Sequence, residues 1–481
     1  MPLRGKRGQG YVSVVVKADD PLDEAAGKAT SRRVSSYYAS AYYAAGASEG
    51  GGGRWCVAVV DPRTGLLPVA MENLGRRGVA PGQEWSQERL EALLRGEGRR
   101  LGTSVEIDRL TGRERKVQVA KTDTWVYDVP KSVSLLACYG YDDDGWLTNV
   151  IEDAARSGME YLAQQTSYVR RRGADGLVER QRGSGIHYSL VLERTARPAE
   201  GPEDLTGLPA PHYHGHVLIH GAFDREGKYG AYDAHDALTS GQRQLASAYA
   251  DLVMRQRLAD RGIDMRRVQP DEDADEDDAA AAPPHWEVAS IPDAAVMVAS
   301  ERRRAILAAL AEDPQGRRGP TGDLAAEKLT KARKEGVDDW PALLRTWRKL
   351  IEDAGAAAPD ARPCPPGVPP GSVRAGEADG QIEEPSFLAV VGVADRVLAR
   401  FAATRSHFRL EELRAEITQE VDGAWKREVA PSLMSSLVAR WAASGDLIPL
   451  TGDRYAVAEV MRQEWRTLQL WQRLSADVAK A

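Results

Sequence analysis

The chain has 481 residues, a formal net charge of -7, 42% hydrophobic residues and 28% charged residues. This length allows roughly two to four domains of ordinary size, and the composition is that of a soluble globular protein, which excludes wholesale disorder and a multi-span membrane protein. Cys56, Cys138 and Cys364 are far apart, which excludes a disulfide framework or a thiolate zinc site and fits a reducing cytosol.

The charge is uneven. Residues 1–270 hold 37 Lys+Arg against 35 Asp+Glu, and the remainder 27 against 36, so the acidity sits in the second half. From the N-terminus, "YVSVVVKADD" is broken by Lys17 after a few apolar residues, too short for a signal core or a spanning helix. No targeting segment and no membrane insertion are expected. "SSYYASAYYAAG" then carries two doublets, Tyr37/Tyr38 and Tyr42/Tyr43, in an Ala-rich stretch of helical propensity. Aromatic pairs at this spacing commonly pack in a core. Four phenols together put at least one ring at a polar site, and a phenolate can be a covalent nucleophile.

Strand-like runs follow in "RWCVAVVDP" and "SVEIDR". "KTDTWVYDVPKSVSLLACYG" reads as a strand entering a Pro-Lys-Ser turn and then an apolar element, with Asp128 a turn carboxylate two residues before Pro130. Arg170, Arg171 and Arg172, then Arg180 and Arg182, then Arg266 and Arg267, form local basic clusters, each readable as a solvated face. In "PHYHGHVLIHGAF", strand alternation puts His214 and His216 on one face about 7 Å apart, close enough to share an ion. The same pair fits an ordinary surface strand, and imidazole suits Zn, Mn, Fe or Cu alike. "GQRQLASAYADLVMRQRLADRG" is helical, so residues 1–270 read as an α+β domain.

Beyond it, 271–284 is an acidic linker, 285–357 has helical periodicity, and 358–383 is a Pro/Gly-rich linker. In 384–481 two helical patterns precede "SGDLIPLTGDRYAVAE", a strand, a Gly turn and a second strand, which suggests a small winged-helix-like domain. No internal repeats occur.

Taken in order, the Tyr doublets followed by "GGRW", the "PKSVSLL" turn, and "ERTARP" before "PHYHGHVLIHGAFDREGKYGAYD" resemble the relaxase domain of the TrwC/TraI-type conjugative relaxases, the MobF class of HUH endonucleases. "HWEVASIP", "SERRRAIL", "LTKARKEG" and "LLRTW" are similar to the helical segment that closes that domain, so the likeness runs over most of the chain. It implies a palm-like antiparallel sheet with flanking helices. It also implies nicking and strand transfer on single-stranded DNA at a transfer origin, in a bacterial cytoplasm, with relaxosome proteins and a coupling protein as further partners. The implied nucleophile is the first Tyr of each doublet, Tyr37 and then Tyr42. A divalent metal, Mg or Mn with Zn as an alternative, is implied at the His pair.

The chain departs from the family pattern at two positions. Glu193 stands where the third His ligand belongs, with His187, six residues earlier on the same strand face, as the reserve ligand. Thr124 stands where the family has an Asp, leaving Asp123 or Asp128 to assist the metal-bound His. His212 has a place in the pattern but no implied ligand role. Contact with DNA is expected from Lys131, Arg170, Arg171 and Arg172, and binding is expected to weaken as salt rises. No "GxxxxGK[ST]" loop occurs, so the helicase of the family's larger members is not expected in this chain. Two functions stay open: an active metal-dependent relaxase, and a relaxase-derived origin-binding or single-strand-binding protein with reduced or no cleavage. An unrelated metalloenzyme using His214 and His216 would leave the Tyr doublets and "PKSVS" unexplained.

Overall fold

The computed structural model describes residues 12–17, 53–60, 67–83, 85–94, 102–107, 114–172, 178–199, 205–235, 242–268, 285–311, 337, 339–359, 387–404, 407–420, 431–450 and 454–478. Tyr37, Tyr38, Tyr42 and Tyr43 lie outside the described residues, as do Cys364 and both segments read as linkers, apart from 358–359.

Seven antiparallel strands form the main sheet. Five run in the spatial order β1 (Val12–Lys17), β4 (Glu114–Asp128), β8 (Pro211–Phe223), β7 (Gly185–Thr195), β2 (Arg54–Val59). β3 (Gly102–Ile107) pairs with β4, and β9 (Tyr229–Gly230) with β8. β7 and β8 are buried along nearly their whole length because both faces of the sheet are covered.

Alternation sorts the side chains. Trp125 and Tyr127, Tyr188, Leu190 and Leu192, and Val217 and Ile219 face one way, into the core that includes residues of α4 (Trp146–Thr166) and α5 (Gln242–Asp260). Trp125 donates its indole N–H to Ser247 Oγ at 3.2 Å, and Tyr127 its hydroxyl to Asp251 at 3.2 Å, which ties β4 to α5. Gly158 lets α4 come this close: a Cβ there would sit 2.6 Å from the Trp125 ring and 2.9 Å from the Ala246 carbonyl. On the other face Trp55, Val191, Leu218 and Phe223 pack with Leu74 of α1 (Leu67–Arg76) and Leu90, Leu93 and Leu94 of α2 (Gln87–Leu94).

The "PKSVS" turn is a structural joint. Pro130 ends β4 with extended ψ and starts α3 (Lys131–Leu135). Ser132 is buried, donates through Oγ to Glu287 Oε2 at 2.5 Å and accepts from the Val288 N–H at 2.7 Å. Ser134 Oγ accepts from the Tyr213 N–H at 2.9 Å, which fixes the start of β8. Helical periodicity is expected from residue 285 onward, yet His285–Val288 is a strand, β11, paired antiparallel with β10 (Met265–Val268). Four residues are too few for sequence periodicity to distinguish. The chain thus returns after the acidic stretch to pair with the strand it left. α6 (Asp293–Val298), α7 (Glu301–Ala311) and α8 (Trp340–Asp353) follow. Glu301 accepts from the Thr206 N–H at 2.5 Å and Trp347 donates to the Pro209 carbonyl at 3.0 Å, so these helices hold the segment that leads into β8.

A small hairpin, β5 (Tyr168–Arg172) with β6 (Val178–Arg182), stands apart from the main sheet, and β6 is largely exposed. The C-terminal module has its own core of Val397, Phe401, Phe408, Leu413, Ile417, Leu437, Trp441 and Leu447. Its order is α9 (Phe387–Thr404), β12 (Phe408–Arg409), α10 (Leu410–Glu420), α11 (Pro431–Ser444), β13 (Leu447–Pro449), β14 (Arg454–Val457) and α12 (Ala458–Val478), with sheet order β12-β14-β13. Its α10 meets the larger unit: Arg414 donates to Tyr161 Oη at 2.9 Å and Trp286 to the Gln419 carbonyl at 2.7 Å, while Glu420 pairs with Arg267 and Arg400. No helix among the described residues is long and apolar enough to cross a membrane.

Candidate metal centre and nucleic-acid face

β8 lies between β4 and β7, and its register sets Asp128 opposite His214 on one side and Glu193 opposite His214 on the other. His216 is two residues further along, so His214, His216, Glu193 and Asp128 share one face of the sheet. The apolar cover from α1 and α2 reaches Val191 and Leu218, and the histidines begin at that level and continue past it.

Glu193 Oε2 lies 3.0 Å from His214 Nε2 and 3.2 Å from His216 Nε2, and ligand atoms of all three residues fall within 4.8 Å of one another. Glu193 is buried, with its side chain only 2% exposed. Burial lowers the pKa of His214, against an upward pull from Asp128, and pushes that of His216 down to about 3, with His214 adding to the effect. Both imidazoles are therefore neutral near pH 7 and offer lone pairs. His214 Nδ1 lies 3.1 Å from the His212 carbonyl, so a cation bound at Nε2 would leave Nδ1 as the nitrogen that donates to that carbonyl. Two neutral imidazoles and a carboxylate converging on one point fit a divalent cation, and they match the two-His, one-carboxylate set used by several transition metals.

Other expected site residues fall elsewhere. His187 is on the same strand face, but six residues from Glu193, about 20 Å along the strand. It is buried between Tyr229 Oη at 3.2 Å and the Val79 carbonyl at 3.1 Å, so the structure brings Glu193, and not His187, to the two histidines. Asp123 has the opposite parity to Asp128. It is buried and paired in register with Ile219 on the α4–α5 face, away from the histidines. Asp128 and Thr124 are on the histidine face, and Thr124 is buried opposite Leu218.

Lys131 lies against the start of β8. Its ammonium donates to the Pro211 carbonyl at 2.8 Å, and burial lowers its pKa to about 7. Arg170 pairs with Asp233 at 3.0 Å and Arg171 with Asp224 at 2.6 Å, so both brace the hairpin against the main sheet and the turn after it. Arg180 also reaches Asp233 and stacks over Tyr168, with its guanidinium carbon 3.8 Å from the ring centre.

Sequence reasoning left two features unread. His212 stands beside Asp128, Nε2 to Oδ1 3.7 Å, and its ring centre is 4.9 Å from that of His214. The signal was present, since His212 has the parity of His214 and the register partner of His214 is Asp128. The second is a buried network on the reverse face. Tyr213 donates to Asp142 at 2.7 Å, and Asp142 also accepts from the Thr148 backbone and hydroxyl.

An antiparallel sheet flanked by helices, with a His–His–carboxylate cluster on one strand ladder, defines an α+β domain with a candidate metal centre. The family model for the TrwC relaxase matches residues 6–354, and the chain belongs to that family, the MobF class of conjugative relaxases. Among solved structures it is similar to the conjugative relaxase TrwC in complex with mutant oriT DNA, at 17% identity and TM-score 0.47 over 72% of this chain and 99% of that one. It is also similar to a metal-bound TrwC–oriT DNA complex, at 18% identity and TM-score 0.48 over 72% and 99%. A third is TrwC with a 27-mer DNA comprising the recognition hairpin and the cleavage site, at 18% identity and TM-score 0.47 over 72% and 99%. No curated protein matches the chain.

Proposed function

We propose that the chain is a site- and strand-specific DNA nicking and strand-transfer enzyme acting at an origin of transfer, for mobilisation of a plasmid or integrative element. The observation that carries this reading is the convergence of Glu193, His214 and His216 on one sheet face in a chain of the TrwC relaxase family. These three side chains would hold a divalent ion, which would polarise the scissile phosphate and offset the charge that develops there. The carboxylate favours Mg or Mn, and the imidazole pair keeps Zn as an alternative.

The chain's own residues supply the rest. The phenolate oxygen of Tyr37 attacks phosphorus. The P–O3′ bond breaks with its electron pair on the 3′ oxygen, which takes up a proton, leaving a 5′-phosphotyrosine and a free 3′-OH. Tyr42 serves the second transfer, with Tyr38 and Tyr43 as their doublet neighbours. Asp128, opposite His214 in the ladder, assists that imidazole through its nearby negative charge, since both His214 nitrogens are engaged elsewhere. Burial keeps both imidazoles unprotonated, so their lone pairs stay available.

DNA contact is assigned to Lys131 and to Arg170, Arg171 and Arg172 on the β5–β6 hairpin, a two-stranded ribbon of the size that a major groove admits. Residues 1–270 and 285–357 are read as the relaxase unit, with 271–284 and 358–383 as linkers. The helix–strand–helix–helix–strand–strand order within 384–481 supports a winged-helix-like domain that contacts duplex DNA, a relaxosome protein or a coupling protein. The expected compartment is the bacterial cytoplasm.

The test is incubation with single-stranded DNA from the neighbourhood of the gene, with Mg or Mn, scoring covalent protein–DNA adduct on a denaturing gel. An adduct that disappears in Tyr37→Phe and in His214→Ala supports the reading. DNA binding with no adduct under either metal replaces it with the origin-binding alternative.

A further inference from the structure

We infer that the histidine face carries a second cation position, overlapping the first and sharing His214 with it, built from Asp128, His212 and His214. The inference rests on the reading that Glu193, His214 and His216 hold a cation.

The geometry comes from the ladder. Asp128 is the β4 partner of His214, and His212 precedes His214 by two residues, so all three side chains emerge on the same face. Ligand atoms of the three lie within 4.8 Å of one another, as they do in the inner set. His212 Nε2 and Asp128 Oδ1 are 3.7 Å apart. Two ligands on one tetrahedral ion with bonds near 2.0–2.1 Å are separated by about 3.3 Å, so a few tenths of an ångström of side-chain movement brings this pair to ligating separation.

The donor composition is the same as in the inner set, two imidazoles and one carboxylate, so the same cations suit both. Exposure distinguishes them. The side chains of His212 and Asp128 are 30% and 39% exposed, against 12% and 2% for His216 and Glu193. The outer pair therefore lies on the solvent side of the buried one.

His214 offers Nε2 alone, because its Nδ1 is engaged with the His212 carbonyl. One nitrogen lone pair binds one cation, so the two positions are filled one at a time. His214 is then the single residue whose loss removes both, while loss of Glu193 and His216 moves the cation outward without abolishing binding.

The probe is Co(II), titrated into the tag-free full chain and followed by visible absorption, with bound metal per chain counted after dialysis and folding of each variant checked by circular dichroism. The native chain and Asp128→Asn/His212→Gln are expected to take up one Co(II). The Glu193→Ala/His216→Ala variant is expected to retain one, with affinity reduced ~10- to 100-fold. Adding His212→Ala to that double variant, or making His214→Ala alone, is expected to abolish uptake. A folded Glu193→Ala/His216→Ala chain that binds no Co(II), while Asp128→Asn/His212→Gln still binds it, overturns the outer position and leaves the inner one standing. Two Co(II) per native chain overturns the sharing of His214. No uptake by the native chain removes the cation reading itself.

Discussion

The carboxylate Oε2 of Glu193 stands 3.0 Å from Nε2 of His214, across one rung of the β7–β8 ladder. Opposition of this kind is a property of register, so any side chain at position 193 long enough to reach meets the same imidazole. Glu193→His would convert the donor set to three imidazoles. Imidazole favours Zn over Mn more than carboxylate does. The Zn-to-Mn affinity ratio, measured by chelator competition, is expected to rise by about tenfold or more. An unchanged ratio in a folded variant would show that position 193 does not ligate.

The strand that carries the histidines is held from its other face. Tyr213, between His212 and His214, points into the α4 side and donates to Asp142, which burial and the acid together hold in its neutral phenol form. Tyr213→Phe removes one buried hydrogen bond but leaves Asp142 with both Thr148 donors. A loss of about 1–2 kcal/mol is expected in urea unfolding. If the loss falls below about 0.5 kcal/mol, the network is not an anchor of β8.

Much of the site was legible because strand parity is local. Alternation in the sequence puts His214 and His216 on one face, while Glu193 is reached through the family resemblance, and the register sets it opposite His214. Parity also separates Asp128 from Asp123, but only once the histidine register is known, since a slip of one residue exchanges the two faces. What sequence could not supply was contact between distant segments. Ser132 meets Glu287 across 155 positions, so "PKSVS" reads as a turn while half its work is to hold a strand from beyond the acidic stretch. The basic run at 170–172 was visible as charge, yet its pairing with Asp233 and Asp224 depends on where the next turn folds back.

Arg172, the last residue of β5, is expected to contact a phosphate. Arg172→Ala should lower affinity for origin DNA and reduce the log–log salt slope by about 0.7–0.9. Arg170, paired with Asp233, also braces the hairpin: Arg170→Ala should lower thermal stability in addition to reducing the slope. Filter binding from 50 to 200 mM salt (roughly the range over which counterion release is read) checks both. Equal slopes for Arg172→Ala and the native chain would remove Arg172 from the interface.

Lys131 provides the last test, because its environment and its expected role pull apart. Burial lowers its pKa from 10.5 to about 7, against the opposing pull of Glu301 and Glu287. The folded chain therefore holds this proton more weakly than the unfolded chain does. Between pH 7 and 10.5 the unfolded state binds more protons at this position, so the group's contribution to stability rises with pH across that window and is lowest below pH 7. Lys131→Met removes the penalty together with the hydrogen bond to Pro211. It is expected to stabilise the protein below pH 7 by on the order of 2 kcal/mol, after discounting for partial exposure. The gain should fade toward pH 10.5, where only the lost hydrogen bond remains. Thermal melts at pH 6.5 and 9.5 measure the difference directly. The same effect at both values, with no gain that fades as pH rises, would mean that Lys131 titrates as an ordinary surface lysine, free to swing outward to a phosphate.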